Sequence, residues 1–218
     1  MNEKDIQKFF EERGRQERIL KEKKHEQLTK TAFKGQIVFV GSSLMEQFPI
    51  EEMAQRLPNR PVVYNRGIGG DTIDGLDGRL NAAVIDLAPR KLFINIGTND
   101  ISAENYVREN MLAKYRALLE KIRAALPETK IIIMSYYPVN RTDKFVTTWF
   151  RARTNQEIDA VNAELKLMAE DMGLGYVNVT DCLRDENGDL IAEYAIDGMH
   201  MLPEGYEQVF NIIRPMIY

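Results

Sequence analysis

Short apolar runs alternate with longer segments of helical periodicity along most of this chain, and this alternation restricts the possible folds more than any other feature. The apolar runs lie at 36–40, 61–64, 91–96, 130–135 and 175–178. All except the last are almost continuously hydrophobic, which is typical of parallel strands covered on both faces. Segments with helical spacing lie at 50–57, 72–86, 104–126, 154–172 and 203–217. We therefore predict an α/β fold.

The order of these elements predicts a three-layer α/β/α sandwich with a five-stranded, mainly parallel sheet. Strands joined through helices require right-handed crossovers, and ligands then bind beside the carboxyl ends of the strands. Residues 1–30 differ from the rest, because they are dense in Lys, Glu, Arg and Gln with sparse apolar positions. That pattern predicts a solvated helical arm that packs on the domain or on a second subunit. We divide the chain into this arm, 1–30, and one domain, 31–218.

The composition excludes several classes of protein. A chain of 218 residues that is 44% hydrophobic can build one substantial core but not two full domains. Its net charge of -4 offers no basic surface to nucleic acid. One cysteine and two histidines are too few for an internal disulfide or a structural zinc site, so we expect no metal or other cofactor. No segment has the character of a signal peptide or membrane span, so we expect a cytoplasmic protein.

Small and polar residues follow three successive predicted strands. Gly-Ser-Ser-Leu at 41–44 follows the first strand, Asn-Arg-Gly-Ile-Gly-Gly-Asp at 65–71 the second, and Gly-Thr-Asn-Asp at 97–100 the third. Because the carboxyl ends of parallel strands meet at one edge of a sheet, we expect these residues to lie together. The sequence therefore predicts a functional site at this edge.

Ser43 and His200 are the candidate nucleophile and base of that site. A hydroxyl just after a strand can project into the crevice and attack a carbonyl group, although a serine there also commonly caps a helix. Of the two histidines, His25 lies in the charged arm, where we expect a solvated surface residue. His200 follows Asp197 by three residues, a spacing that allows the carboxylate to bind the imidazole Nδ1 and leaves Nε2 for the serine proton. A hydrogen-bonded loop histidine is the simpler alternative.

Gly70 and Asn99 are candidate donors to a negative charge developing on the substrate oxygen, since backbone and side-chain amides can supply such hydrogen bonds. Each has a purely structural alternative, a tight turn at 69–70 and an Asx-type turn at Asn99. Residues 41–45 lack the second glycine of the G-x-S-x-G motif, so an α/β-hydrolase is not supported.

Together these motifs resemble the SGNH hydrolases, also called GDSL-type lipases and esterases, over about residues 35–207. The second and third blocks are most similar to the branch of platelet-activating-factor acetylhydrolase-type esterases. The resemblance implies a flavodoxin-like SGNH hydrolase fold and a serine enzyme. It also implies the roles of the site residues: nucleophile and oxyanion amide at Ser43, oxyanion donors at Gly70 and Asn99, acid and base at Asp197 and His200. Ser42 stands where the motif that names the family has Asp, which affects the local hydrogen bonding but not the triad.

We therefore expect a serine esterase or acylhydrolase acting on a small-molecule ester of an acetyl or short acyl group. Four apolar residues flank the predicted catalytic groups and are either substrate contacts or ordinary core side chains: Leu44, Ile68, Ile101 and Met199. The alternative is a non-catalytic carbohydrate- or protein-binding module on the same fold. A phosphate-binding loop at 67–70 is weaker still, because both the G-x-G-x-x-G spacing and the P-loop lysine are missing. The arm also offers a surface for a homodimer.

Overall fold

The computed structural model describes residues 3–217 and, for residues 3, 4, 7 and 11, the backbone alone. Residues 1, 2 and 218, which the predicted arm and domain include, lie outside the described residues. One five-stranded sheet has the spatial order β2-β1-β3-β4-β5, and every neighbouring pair is parallel. The strands are β1 (Ile37–Gly41), β2 (Val63–Asn65), β3 (Lys91–Asn95), β4 (Lys130–Met134) and β5 (Gly175–Val177). The predicted α/β fold is confirmed.

Nine α-helices are present within residues 3–217. They are α1 (Glu3–Thr31), α2 (Ser43–Glu46), α3 (Ile50–Ala54), α4 (Ile73–Gly78), α5 (Leu80–Ala83), α6 (Thr98–Ile101), α7 (Arg108–Ala125), α8 (Asn155–Met172) and α9 (Pro203–Ile217). The single helix predicted over 72–86 is instead divided at Arg79, whose backbone leaves the helical region at φ -115° and ψ 15°. The side chain of Arg79 is turned into the core, where it binds Asp71.

The direction of the crossovers explains the three layers. The chain moves in one direction across the sheet from β1 to β2 and in the opposite direction from β2 to β3, β4 and β5. Right-handed connections therefore place α3 on one face and α4, α7 and α8 on the other. The contacts agree, because α3 packs on α9, whereas α4 packs on α7 and α7 on α8. All five residues of β1 are buried, and Phe39 stacks on Phe93 of β3 with ring centroids 4.4 Å apart.

Helix α1 is the predicted arm, and it contacts the domain along only part of its length. Its C-terminal part packs on α5, where the Thr29 hydroxyl donates to the Ala82 carbonyl at 2.8 Å. Towards its N-terminus, large apolar side chains such as Phe9 and Phe10 are exposed. No helix within residues 3–217 is both long enough and apolar enough to cross a membrane.

Candidate active site

Ser43 is the first residue of α2, directly after the end of β1. Its neighbours Ser42 and Leu44 are buried, whereas Ser43 is partly exposed at the carboxyl edge of the sheet. The Ser43 Oγ lies 2.8 Å from Nε2 of His200, a residue 157 positions away in the chain. As the first residue of a helix, Ser43 also has a backbone N–H without an intrahelical acceptor. Nucleophile and base candidates are therefore in hydrogen-bond contact.

The loop before α9 carries both Asp197 and His200. The Asp197 Oδ1 accepts the backbone N–H groups of Met199 at 3.1 Å and His200 at 2.8 Å, and its Oδ2 lies 2.7 Å from His200 Nδ1. Because a carboxylate only accepts, Nδ1 carries the proton and Nε2 is free to accept from the serine hydroxyl. Burial raises the pKa of Asp197, but the side-chain and backbone hydrogen bonds from His200 outweigh it, so the pKa is lowered overall. The carboxylate is thus kept ionised beside the imidazole.

The loop after β2 and the short helix after β3 meet at the same edge. Asn99 Nδ2 donates to the carbonyl oxygen of Asp71 at 2.8 Å, which ties Asn99 to the residue that follows Gly70. A side-chain amide has two N–H bonds, so one remains for a ligand. Among the described atoms of residues 3–217, no acceptor forms a hydrogen bond with the backbone N–H of Gly70. The predicted oxyanion donors are therefore adjacent and retain free N–H groups.

Charged residues that the sequence analysis did not single out hold this loop. Glu46 of α2 accepts the Gly69 N–H through Oε2 at 2.7 Å, and Lys21 of the arm pairs with Glu46 at 2.8 Å. The buried Asp71 carboxylate is bound by Arg18 of the arm and by Arg79, each at 2.8 Å. Only Asp71 belongs to a block noted in the sequence, because the two partners of each ion pair come from different parts of the chain.

Arg153 is the other residue that sequence reasoning missed. It immediately precedes Thr154, the N-cap of α8, and its guanidinium group lies behind Asn99. Nothing in the sequence of residues 140–153 distinguishes this arginine from Arg141 and Arg151.

The four candidate substrate contacts are all buried: Leu44 and Met199 are 2% and 3% exposed, and Ile68 and Ile101 are 0% exposed. Their contact with a substrate stays a prediction. The expectation that His25 is a solvated surface residue is wrong, because α1 turns this side chain towards the domain. The histidine is partly buried, and burial followed by the charges of Arg66 and Arg79 lowers its pKa to about 3. Within the described part of the chain, no cluster of three or more His, Cys, Asp or Glu could hold a metal ion.

The sequence profile of the GDSL-like lipase/acylhydrolase family matches residues 39–208, which include every candidate catalytic residue. The chain belongs to this family. It is accordingly a hydrolase, and the resemblance read from its sequence blocks is confirmed.

Three individual relatives are similar to this chain over most of its length. A protein of known structure from Streptococcus pneumoniae, provisionally named a platelet activating factor, superposes with a TM-score of 0.90 over 100% of both chains at 28% identity. Platelet-activating factor acetylhydrolase IB subunit alpha2 of Rattus norvegicus is 24% identical over 83% of this chain and 75% of its own. An N-acylneuraminate cytidylyltransferase of Escherichia coli is 25% identical over 83% of this chain, which spans 40% of that relative's length.

Proposed function

We propose that this hydrolase is a serine esterase that cleaves small-molecule carboxylic esters of acetyl or short acyl groups. One observation carries the proposal: the row of hydrogen bonds from Ser43 Oγ to His200, 2.8 Å, and from His200 to Asp197, 2.7 Å. A serine hydroxyl is a weak nucleophile at neutral pH. An imidazole in contact with it, held in one tautomer by a carboxylate, supplies the base that the reaction needs.

In the acylation step, Ser43 Oγ attacks the acyl carbon while its proton passes to His200 Nε2. Asp197 stabilises the imidazolium that forms. The oxyanion of the tetrahedral intermediate accepts hydrogen bonds from the Ser43 and Gly70 backbone N–H groups and from the Asn99 amide. The imidazolium then protonates the alcohol oxygen, the carbon–oxygen bond breaks, and the acyl group remains on Ser43.

The deacylation step repeats this chemistry with water. His200 Nε2 takes a proton from a water molecule as the water oxygen attacks the acyl carbon, and the same donors hold the new oxyanion. Collapse of the intermediate returns the proton to Ser43 Oγ and releases the carboxylic acid. In both steps His200 accepts and returns the proton, and the three N–H donors stabilise the oxyanion.

Two observations favour a small acyl group. The side chains of Leu44 and Met199, which are next in sequence to Ser43 and His200, are packed into the core and are not free to line a channel for a long acyl chain. In addition, the rat relative is an acetylhydrolase by name. The cytoplasmic location and the homodimer expected from the sequence stay predictions.

The test is the turnover of nitrophenyl esters by Ser43→Ala, with Ser42→Ala as the matched control. We expect Ser43→Ala to lose at least about 10³-fold in kcat/KM, because among the described residues only the Ser43 hydroxyl lies within hydrogen-bond distance of His200 Nε2. Ser42→Ala should stay within a few-fold of the wild type, since the buried Ser42 Oγ has no hydrogen-bond partner among the described residues. Wild-type turnover by a folded Ser43→Ala variant would overturn the proposal.

The same assay tests the acyl group. Turnover should fall from nitrophenyl acetate through butyrate to octanoate, whereas a flat or rising series would contradict a short-acyl preference. The alternative, a non-catalytic binding module, predicts no hydrolysis and no covalent labelling of Ser43 by a fluorophosphonate. Labelling of the wild type but not of Ser43→Ala would exclude that module.

A further inference from the structure

The guanidinium group of Arg153 is a positive charge in the protein interior that forms no direct ion pair with a described carboxylate. The residue is 1% exposed. Asp100 and Asp197 raise its pKa through their charges, but no carboxylate among the described side chains lies within ion-pair distance of it. Its Nε has no hydrogen-bond partner in the described part of the chain. Burial lowers the pKa of Arg153 to about 10, so the guanidinium group is still charged at neutral pH. A buried charge without an ion pair is costly, which indicates a role beyond packing.

The contacts of Arg153 connect it to two of the predicted catalytic blocks. One terminal nitrogen donates to Asn99 Oδ1 at 3.1 Å and to the carbonyl oxygen of Thr98. The other terminal nitrogen contacts the Met199 sulfur, in the loop between Asp197 and His200. A single side chain thus lies against both the oxyanion amide and the loop that carries the base.

These contacts determine how the Asn99 amide is oriented. A guanidinium group only donates, so the atom that faces Arg153 must be the oxygen. The carbonyl oxygen of Asp71 only accepts, so the atom 2.8 Å from it must be the nitrogen. Both conditions give the same orientation, in which one N–H is used by Asp71 and the other is available to a ligand.

We propose that Arg153 is a positioning residue for hydrolysis, which holds the Asn99 amide with its free N–H directed at the oxyanion. This inference rests on the proposed esterase function. The hydrogen bond from Arg153 also polarises the amide, because a charged donor on the oxygen makes the N–H a stronger donor. That gain is largest when the oxyanion carries its full charge, so Arg153 should act on kcat rather than on KM.

The kinetic test compares Arg153→Met, Arg153→Lys and Asn99→Ala on nitrophenyl acetate. Loss of one oxyanion donor typically lowers kcat by about 10²- to 10³-fold. Because Asn99 keeps its hydrogen bond to Asp71, we expect Arg153→Met to lower kcat by about 10- to 100-fold and to change KM by less than about threefold. Arg151→Met is the matched control, since Arg151 is 47% exposed and pairs with the exposed Glu104. It should stay within about twofold of the wild type.

A double-mutant comparison separates positioning from simple stabilisation. If Arg153 acts through Asn99, adding Arg153→Met to Asn99→Ala should lower kcat by less than about twofold further. A full, multiplicative loss in the double variant would overturn the proposal, and so would a folded Arg153→Met variant with wild-type kcat. Should Arg153→Met fail to fold, Arg153→Lys decides: an intermediate loss that disappears in the Asn99→Ala background is expected. A loss of kcat in Arg153→Lys that is equally large in the Asn99→Ala background would mean that the arginine does not act through Asn99.

A measurement that does not depend on turnover keeps this inference separable from the proposed function. The side-chain amide signal of Asn99 can be assigned in a ¹⁵N–¹H correlation spectrum by its loss in Asn99→Ala. We expect it to shift in Arg153→Met and to stay unchanged in Arg151→Met. An unchanged signal in Arg153→Met would refute the positioning role even in an active enzyme. Failure of the wild type to hydrolyse any ester would instead refute the proposed function.

Discussion

Replacing Asp71 by Asn removes the buried carboxylate that neutralises two arginines, Arg18 and Arg79, beside the loop that carries Gly70. Asp71 is fully buried, and the Arg79 side chain that it binds through two nitrogens, both at 2.8 Å, is 7% exposed. Losing one partner of a buried ion pair costs about 3–5 kcal/mol, because the other charge stays buried without compensation. The second pair adds little, since the Arg18 side chain is 30% exposed and partly screened by solvent.

The expected loss should therefore appear as a decrease of about 3–5 kcal/mol in the free energy of urea unfolding, with an unchanged m value. For a chain of this size it corresponds to a Tm lower by about 6–20 °C. The control is Asp74→Asn, whose carboxylate is 67% exposed and pairs with Lys114, and which should cost about 0–1 kcal/mol.

Two results would refute this reasoning. The first is a cost of Asp71→Asn within about 1 kcal/mol of the Asp74→Asn control. The second concerns Asp71→Asn combined with Arg79→Met, which removes both buried charges and should recover part of the loss. No recovery would mean that the unpaired charge of Arg79 is not the cause.

Two further predictions concern Asp100 and Gly97. Burial raises the pKa of Asp100 from 3.8 to about 6, so the folded state binds the carboxyl proton more tightly than the unfolded state does. The stability that this protonation contributes is therefore fully present below pH about 4 and is lost as the pH rises through about 6. Relative to the wild type, Asp100→Asn should become more stable across that window in urea unfolding; a difference that does not vary with pH would contradict the prediction. In Gly97→Ala, at φ 119°, the added Cβ would lie 2.1 Å from the buried Tyr136 hydroxyl, so we expect a loss of about 2–5 kcal/mol. The control is Gly188→Ala, because Gly188 also has a positive φ, 83°, but an added Cβ would meet nothing within 4 Å. Thermal unfolding should show a loss of stability of about 1–2 kcal/mol for this control, and equal losses for the two variants would refute the steric argument.

The strands were predictable because their signal is local. The run predicted at 36–40 is the strand Ile37–Gly41, and the run at 130–135 is the strand Lys130–Met134. A strand buried on both faces needs apolar side chains at every position, and that need is visible in four or five neighbouring residues. The Asp197–His200 pair was predictable for the same reason, because three residues of spacing suffice to bring the two side chains together.

Other features depended on contacts between distant elements. The break at Arg79 is absent from the helical periodicity of 72–86, since it depends on an aspartate from the loop after β2. His25 was expected in solvent because its neighbours in the arm are charged, but which face of α1 meets the domain is decided by packing.

The sequence by itself determined the element order, the strand ends where polar residues collect, and the family. These features follow from periodicity and short spacing, which depend on residues within a turn or a strand of one another. Only the tertiary structure decided that the atoms of the two candidates Ser43 and His200 meet at 2.8 Å across 157 positions. It alone decided that the arm binds Asp71 through Arg18 and Glu46 through Lys21. It also decided that Arg153, one arginine among many, lies buried behind Asn99. Such contacts are set by the packing of whole elements, which no single segment of the chain encodes.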